Sequence, residues 1–330
     1  MKALITGSGQ DATYLARFLI KKGYQVDIGE RRSACDNMFR FKTMGIYDQI
    51  NIINFDLIDY GNILRTITLG KYDEVYNLAA MSFVGSSWDE PLLTYDVNTR
   101  GVLLLLEAIR TFSPKTKFYQ ASTSEMFGKA QEVPQNEKTP FYPRSPYGVS
   151  KLASHWIVIN YRESFNLYAC SGILFNHESP FRGSEFVTKK IIEYFAKWSK
   201  KPGVPLLLGN LESRRDWGYA DDYVEVMWLM LQQKTANDYV IATGETHSIK
   251  DFVEATVKLL NKEIIWKGEG MQTEGLIDGK VVVKSDKKYY RPAEVDLLVG
   301  DSSKAKKNLN WTPKTKFQDL VKLMLDVEMK

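Results

Sequence analysis

Tyr147 and Lys151 are the residues of this sequence whose types and spacing most directly suggest catalysis. A tyrosine serves as a general base when its pKa of about 10 is lowered, and a lysine ammonium one helical turn away favours the phenolate. Of the eighteen tyrosines, only Tyr147 is followed by a lysine four positions later. The alternative is a surface pair on an amphipathic helix. Because the pair opens a predicted helix between the fifth and sixth predicted strands, we interpret it as catalytic.

Thr123 and Glu125 lie just upstream, immediately after the fifth predicted strand. An open α/β sheet holds its active site at the carboxyl ends of its strands, so both side chains are candidates. Thr123 can donate to a substrate oxygen, and a partly buried carboxylate at Glu125 can act on a carbon acid. From residue type alone, a loop or cap acid that faces water is the simpler interpretation of Glu125.

A glycine turn follows the first predicted strand at Gly7-Ser8-Gly9-Gln10-Asp11-Ala12. It fits the G-x-G-x-x-G/A pattern, in which small residues let the backbone approach a pyrophosphate at a helix N-terminus. The same residues also suit an ordinary strand-to-helix turn, since an isolated glycine pattern is a weak signal. Its position after the first strand favours a dinucleotide site.

The end of the second predicted strand indicates which dinucleotide binds. An NAD enzyme carries there an acid that accepts from the ribose 2′-hydroxyl. In this chain Glu30 is followed at once by Arg31, Arg32 and Ser33. Two guanidinium groups and a hydroxyl suit a 2′-phosphate, which favours NADP over NAD. The alternative is a solvated basic loop.

The elements that must position these residues follow the alternating pattern of βαβ units. The predicted strands are Lys2–Thr6, Gln25–Gly29, Ile50–Phe55, Glu74–Leu78, Lys117–Ser122 and Tyr168–Leu174. The predicted helices are Asp11–Lys22, Tyr60–Leu69, Leu93–Thr111, Pro146–Phe165, Phe186–Lys200, Asp221–Gln233, Ile249–Leu260 and Phe317–Glu328. We predict a doubly wound parallel, Rossmann-type α/β sheet over residues 1–174. A smaller mixed α/β lobe for the substrate is predicted over 175–330, and segments near 210–245 can return to the first sheet.

Composition excludes several other classes of protein. The chain has 330 residues, 44% of them hydrophobic, and no apolar run of bilayer-spanning length, and no export signal is recognisable, so we expect a soluble cytoplasmic protein. Cys35 and Cys170 suggest neither a disulfide framework nor a metal site, and the three histidines lack ligand spacing. The 44 basic and 40 acidic residues are mixed along the chain, so nucleic acid is not an expected partner.

Longer motifs give the chain a specific resemblance. They include Ala3-Leu-Ile-Thr-Gly7, Tyr76-Asn-Leu-Ala-Ala-Met-Ser82, Phe118-Tyr-Gln-Ala-Ser-Thr-Ser-Glu125, Pro140-Phe-Tyr-Pro-Arg-Ser-Pro-Tyr147, Gly172-Ile-Leu-Phe-Asn-His-Glu-Ser-Pro180, Arg215-Asp-Trp-Gly218 and Tyr290-Arg-Pro-Ala-Glu294. In these motifs, over nearly its whole length, the sequence resembles the extended short-chain dehydrogenase/reductases, and within them the GDP-mannose 4,6-dehydratase family.

The resemblance implies catalytic roles. Tyr147, held by Lys151, removes the proton of the sugar 4-hydroxyl while hydride passes to NADP. Glu125 then abstracts the C5 proton and protonates the departing 6-hydroxyl, with Thr123 bonded to the 4-oxygen. Hydride returns to C6, so a 4-keto-6-deoxy sugar forms without net use of NADP. A GDP-linked manno-heptose as the substrate, or an enzyme that only oxidises or epimerises C4, stays open.

The resemblance also implies the binding residues and a homo-oligomer, either a dimer or a tetramer. The implied cofactor residues are Gly7, Ser8, Gly9, Gln10, Asp11, Arg31, Arg32, Asp56, Leu57, Leu78, Ala79, Ala80, Ser82, Tyr147, Lys151, His177 and Arg182. The implied residues for the GDP-linked sugar are Ser82, Asn176, Lys190, Arg215, Arg291 and Glu294.

Overall fold

The computed structural model describes all 330 residues. Its strands are β1 (Lys2–Thr6), β2 (Gln25–Glu30), β3 (Asn51–Asn54), β4 (Glu74–Asn77), β5 (Lys117–Thr123), β6 (Ala169–Leu174), β7 (Asn176–Glu178), β8 (Leu206–Leu208), β9 (Arg214–Arg215), β10 (Trp217–Tyr219), β11 (Tyr239–Ile241), β12 (His247–Ser248), β13 (Ile265–Lys267), β14 (Glu274–Ile277) and β15 (Lys280–Ser285). Its α-helices are α1 (Gln10–Lys21), α2 (Phe39–Thr43), α3 (Tyr60–Gly70), α4 (Ser86–Asp89), α5 (Pro91–Tyr95), α6 (Gly101–Phe112), α7 (Pro146–Phe165), α8 (Val187–Lys200), α9 (Ala220–Leu231), α10 (Ile249–Leu259), α11 (Ser303–Leu309) and α12 (Phe317–Glu328).

Seven strands form one parallel sheet in the order β11-β6-β5-β4-β1-β2-β3. Every pairing in it is parallel, as expected when each crossover contains a helix. The order reverses between β1 and β4, which makes the carboxyl ends of those strands the topological switch point. The predicted doubly wound fold is therefore confirmed. The six predicted strands and seven of the eight predicted helices form, each within two residues of its predicted ends. The predicted helix Leu93–Thr111 is instead divided into α5, a π-helical turn and α6.

Apolar side chains cover both faces of this sheet. In β1 the three consecutive residues Ala3, Leu4 and Ile5 are completely buried, the pattern of a strand with helices on each side. A cluster of 28 buried residues joins the sheet to α1, α9 and α11 on one face. A second cluster of 17 residues joins it to α3, α6 and α7 on the other. This packing fixes where each strand ends.

The second part of the chain has its own core and its own sheet. Four strands pair in the order β13-β14-β15-β8, and 20 buried residues link them to α8, α10 and α12. Strand β11 nevertheless pairs with β6 in the large sheet, and α9 lies beside α1. Part of the chain beyond residue 174 therefore packs with the first lobe, and the proposed boundary there stays a prediction. None of the helices combines the length and apolar character needed to cross a bilayer.

A chain of buried hydrogen bonds ties the strand ends together at the switch point. The Thr6 hydroxyl donates to Asn77 Oδ1 at 2.7 Å, and Asn77 Nδ2 donates to Gln120 Oε1 at 2.8 Å. Thr6 Oγ1 also accepts from the backbone N–H of Leu78 and of Ala79, each at 3.1 Å. These bonds satisfy buried polar groups and fix β1, β4 and β5 relative to one another at the edge where a ligand would bind.

Candidate active site

A single large cleft lies at the carboxyl ends of the sheet strands, with a volume of about 1070 Å³. The first glycine turn forms one end, and residues of the second lobe form the other. Thr123, Glu125, Tyr147 and Lys151 all line it. The four catalytic candidates, which are spread over 29 positions of sequence, are thus brought to one wall of one cleft.

Helix α7 presents Tyr147 and Lys151 to this cleft. The N-terminus of this helix is capped, because Ser145 Oγ accepts the N–H of Gly148 at 3.0 Å, and Pro146 occupies the first turn. Gly148 allows close packing, since a Cβ there would lie 2.8 Å from the carbonyl oxygen of Glu125. The helix start and the end of β5 are therefore held in contact.

The electrostatics of this pair differ from the sequence-based expectation. Lys151 Nζ donates to the carbonyl of Ala121 at 2.8 Å and lies 6.0 Å from the centre of the Tyr147 ring. Burial lowers the pKa of Lys151 to about 8. Burial likewise raises the pKa of Tyr147 to about 12, although a hydrogen bond with Thr123 opposes the rise. The expected shift of the Tyr147 pKa toward neutrality is therefore not found in this structure, because desolvation of the phenolate by burial is the largest influence on that pKa.

Glu125 is buried and only partly paired. It retains 7% of its accessible surface, so the interpretation of a water-facing loop acid is wrong. Its Oε1 lies 3.4 Å from Arg291 Nη1, whereas its Oε2 is buried without any hydrogen-bond partner. Its backbone N–H donates to Thr123 Oγ1 at 3.2 Å. A buried carboxylate oxygen without a donor is costly, and this one belongs to a residue that lines the cleft, so Glu125 is a candidate for contact with a ligand.

The glycine turn is shaped for close approach of a ligand. Gly7 has φ +87°, and a Cβ there would lie 3.2 Å from Ala79 Cα, so this position requires glycine. The Gln10 side chain fixes the turn to β7 and to the residue that follows this strand. Gln10 Nε2 donates to the carbonyl of His177 at 2.8 Å, and Gln10 Oε1 accepts from the Ser179 hydroxyl at 2.7 Å.

Asp11 and His177 form an ion pair beneath the same turn. His177 Nε2 lies 2.8 Å from Asp11 Oδ2, and His177 Nδ1 lies 2.8 Å from the carbonyl oxygen of Phe175. Burial disfavours the charged imidazole, but Asp11 outweighs it and the pKa of His177 is raised. Both ring nitrogens face acceptors, so both must donate, and the ring is an imidazolium.

We expect this charge to be directly visible by nitrogen NMR. The chain has three histidines, and burial lowers the pKa of both His155 and His247. In ¹⁵N-histidine spectra at neutral pH, one ring should therefore show two protonated nitrogens while the other two are neutral. That signal should be missing from His177→Gln. A neutral His177 at pH 7 would contradict the ion pair.

Basic groups line the substrate end of the cleft. Arg215 is buried and donates from Nη1 to the carbonyl of Val295 at 2.7 Å. Lys190 donates to the carbonyl of Leu207 at 2.8 Å and lies over the ring of Tyr289. Their charges make this end attractive to a diphosphate.

The remaining substrate candidates also line this end. Asn176 lies in β7. Glu294 Oε1 accepts the N–H of Arg291 at 2.7 Å, which shapes the loop that carries the Arg291 side chain toward Glu125. We therefore expect Glu294 to act on the substrate site mainly through that loop.

Comparison with known proteins assigns the chain to a family. The family described as GDP-mannose 4,6 dehydratase matches residues 4–324. The chain belongs to this family. A GDP-mannose 4,6 dehydratase of Drosophila melanogaster is 50% identical over 99% of this chain and 86% of its own length. The Homo sapiens protein of that name is 49% identical over 99% of this chain and 91% of its own length. A Vibrio cholerae GDP-mannose 4,6-dehydratase is 46% identical over 100% and 94%, respectively.

Solved structures show the same fold as this member of the GDP-mannose 4,6-dehydratase family. A Thermus thermophilus UDP-glucose 4-epimerase in complex with NAD has a TM-score of 0.81 at 24% identity, covering 99% of both chains. A Bacillus anthracis dTDP-glucose 4,6-dehydratase in complex with NAD has a TM-score of 0.81 at 19% identity, covering 99% of this chain and 96% of that one. The Rossmann-type fold is therefore shared well beyond the family.

Some predicted binding residues of this family member lie outside the cleft lining. They are Ser8, Arg31, Arg32, Asp56, Leu57 and Ala79. Leu57 is buried in the core, where it packs close to Gly101, and Arg31 and Arg32 are exposed. The other predicted cofactor and substrate residues line the cleft. The roles of all of these residues in binding stay predictions.

Two residues that support the candidate site were not predicted from the sequence. Asn98 lies in a π-helical turn, Asp96–Arg100, between α5 and α6, where the sequence predicted one regular helix. Its side chain exchanges hydrogen bonds with the backbone of Met81 at 2.8 and 3.0 Å and donates to Ser150 Oγ at 3.1 Å. It thus joins the loop after β4 to α7. Arg40 in α2 also lines the cleft. Neither residue belongs to a pattern with a recognisable spacing.

Proposed function

We propose that this chain is an NADP-dependent dehydratase that converts GDP-mannose into GDP-4-keto-6-deoxymannose. The observation that carries the proposal is Glu125, whose Oε2 is buried and unpartnered and which lines the same cleft as Thr123 and Tyr147. A simple oxidoreductase needs one base, whereas a dehydratase needs a second acid–base group for the elimination of water. Membership of the GDP-mannose 4,6-dehydratase family supports the same reaction and the GDP-linked sugar.

The glycine turn fits a dinucleotide. Gly7 leaves its strand end without a side chain, and Gln10 opens α1 at the switch point, where backbone N–H groups suit a pyrophosphate. We assign Gly7, Gly9, Gln10, Asp11, His177 and Arg182 to holding the cofactor. When bound, NADP would supply a hydride acceptor for C4, a hydride donor for C6 and a positively charged ring that lowers the pKa of Tyr147.

The residues on α7 and β5 begin the reaction. Tyr147 takes the proton of the 4-hydroxyl as C4 is oxidised, and its pKa of about 12 makes it a strong base once ionised. Lys151 stabilises the phenolate. Thr123, the last residue of β5, lines the same cleft as Tyr147 and would hold the 4-oxygen near that base. These three groups account for the oxidation.

Glu125 completes the elimination. A ketone at C4 acidifies the hydrogen at C5, and Glu125 abstracts this proton. The same carboxyl group then protonates the 6-hydroxyl, which leaves as water, so one residue moves one proton and no external acid is consumed. Arg291 keeps Glu125 oriented through Oε1, leaving Oε2 available for the substrate. A bound cofactor would return its hydride to C6 and would end the reaction in its oxidised form.

The far end of the cleft is assigned to GDP. Arg215, Lys190 and Arg291 supply cations for the diphosphate, with Asn176 beside them. We also propose a homo-oligomer. The outer surfaces of α5 and α7 expose apolar side chains that water does not favour, among them Leu92 at 81% and Trp156 at 56% exposure.

Product mass tests the proposed reaction. Purified protein is incubated with NADP and GDP-mannose, and separately with a GDP-linked manno-heptose. With GDP-mannose we expect the loss of one water and no net reduced cofactor. An unchanged mass together with a changed sugar configuration would indicate an epimerase, and water loss from the heptose alone would identify the longer sugar as the substrate. An unchanged substrate in both reactions would contradict the dehydratase.

A further inference from the structure

Arg40 is a cation of the cleft that neither motif nor spacing predicts. It lies in α2, is half-buried, and lines the same cleft as Gly9, Gln10 and Asp11. We propose that Arg40 binds the diphosphate of the dinucleotide cofactor. This inference rests on the proposed NADP site, and it assigns to Arg40 a contact distinct from the 2′-phosphate contact predicted for Arg31 and Arg32.

A series of hydrogen bonds fixes Arg40 relative to the start of α1. Arg40 Nε donates to the carbonyl of Phe181 at 2.9 Å, and the N–H of Phe181 donates to Ser179 Oγ at 3.1 Å. Ser179 in turn donates to Gln10 Oε1 at 2.7 Å, and Gln10 is the first residue of α1. The ring of Phe181 packs against that of Tyr14, also in α1, at 5.8 Å.

The hydrogen bond to Phe181 uses only the Nε atom of the Arg40 guanidinium. With Nε committed to Phe181, the two terminal nitrogens remain, and these form the edge that binds two oxygens of a phosphate at once. Glu185 acts on Arg40 electrostatically but forms no salt bridge with it, so no carboxylate occupies the guanidinium edge. The ring of Phe39, 4.5 Å from the guanidinium carbon, supports the group from the side. Arg40 is therefore pre-oriented rather than mobile, which reduces the entropy lost on binding.

The position separates Arg40 from its neighbours in sequence. Arg31 and Arg32 are exposed and lie outside the cleft lining, next to the end of β2, where the adenosine ribose of a dinucleotide lies. Arg40 is tied instead to the first turn of α1, where the pyrophosphate lies in this fold. NAD and NADP share the diphosphate and differ in the 2′-phosphate. The two roles therefore predict different nucleotide selectivity.

Binding measurements separate the two roles. The full chain, freed of copurified nucleotide, is titrated calorimetrically with NADP and with NAD. For Arg40→Gln we expect both dissociation constants to rise by about ten- to hundredfold, as for the loss of a charge-assisted hydrogen-bonded pair. Arg40→Lys, which keeps the charge but not the planar edge, should weaken both by a smaller factor. Arg32→Gln should weaken NADP alone.

Arg17→Gln is the matched control. Arg17 lies on α1 outside the cleft lining and pairs with Asp221 at 2.6 Å, so its loss should leave both affinities unchanged. Circular dichroism melts establish whether each variant is folded. If Arg40→Gln does not fold, the affinities of Arg40→Lys decide whether Arg40 binds the diphosphate. Unchanged affinity in both Arg40 variants, or a loss confined to NADP, would overturn the diphosphate assignment. Wild-type protein that binds neither nucleotide would contradict the proposed cofactor instead.

Discussion

Glu125→Gln is expected to oxidise its substrate and then stop. The amide keeps the shape of the side chain and an oxygen for Arg291, which lies 3.4 Å from Glu125 Oε1, but it cannot accept the C5 proton. Loss of a general acid–base group lowers turnover by about 10²- to 10⁴-fold. Because Tyr147, Lys151 and Thr123 remain, the first hydride transfer should still occur. Mixing the NADP-loaded variant with GDP-mannose should therefore produce a lasting near-ultraviolet absorbance of reduced nicotinamide, without release of the dehydrated product.

A matched control removes a carboxylate elsewhere. Glu254 is exposed on α10, and its Oε1 accepts from Trp266 Nε1 at 2.7 Å, a bond that the glutamine amide can keep. Glu254→Gln should turn over at the wild-type rate with no lasting absorbance. Undiminished product formation by Glu125→Gln would remove Glu125 from the mechanism. Complete failure to reduce the cofactor would instead make Glu125 part of the oxidation step.

Local sequence determines the large sheet and most of the helices well, and the sheet of the second lobe poorly. Strands such as β1 and β6 are short, mostly apolar runs that are buried along nearly their whole length, so their positions follow from burial on both faces. The four-stranded sheet was not predicted. Its edge strand β8 has three residues, Leu206–Leu208, and pairs with β15, more than seventy residues later. Pairing at that distance leaves no local signal in the sequence.

In the candidate site, too, the features that depend on local sequence were predicted and those that depend on distant residues were not. The spacing of Tyr147 and Lys151 is local, because it reflects one turn of one helix, and both residues do line the cleft. The burial of Glu125 is not local, since its partner Arg291 is 166 positions away. Arg40 is likewise held by Phe181, 141 positions away. The raised pKa of Tyr147 depends on the surrounding desolvation, which residue spacing cannot convey.

Tyr147→Phe is expected to block the reaction one step earlier than Glu125→Gln. The phenyl ring keeps the packing of this buried position, but it has no oxygen to take the 4-hydroxyl proton. We expect turnover to fall by about 10²- to 10⁴-fold. No reduced nicotinamide should build up in stopped-flow absorbance, because C4 is never oxidised. The affinity for GDP-mannose should change little, since Arg215 and Lys190 are untouched.

The comparison between the two variants tests the order of events as well as the residues. If oxidation precedes elimination, a Tyr147→Phe/Glu125→Gln double variant should behave like Tyr147→Phe and lose the absorbance seen with Glu125→Gln. Tyr119→Phe is the matched control, because Tyr119 is a buried tyrosine of β5 that lies outside the cleft lining and whose hydroxyl has no partner. It should reduce the cofactor and release product normally. Persistent reduced nicotinamide in Tyr147→Phe would show that another group takes the 4-hydroxyl proton. The first candidate would then be Lys151, because it is the other titratable group that α7 presents to the cleft.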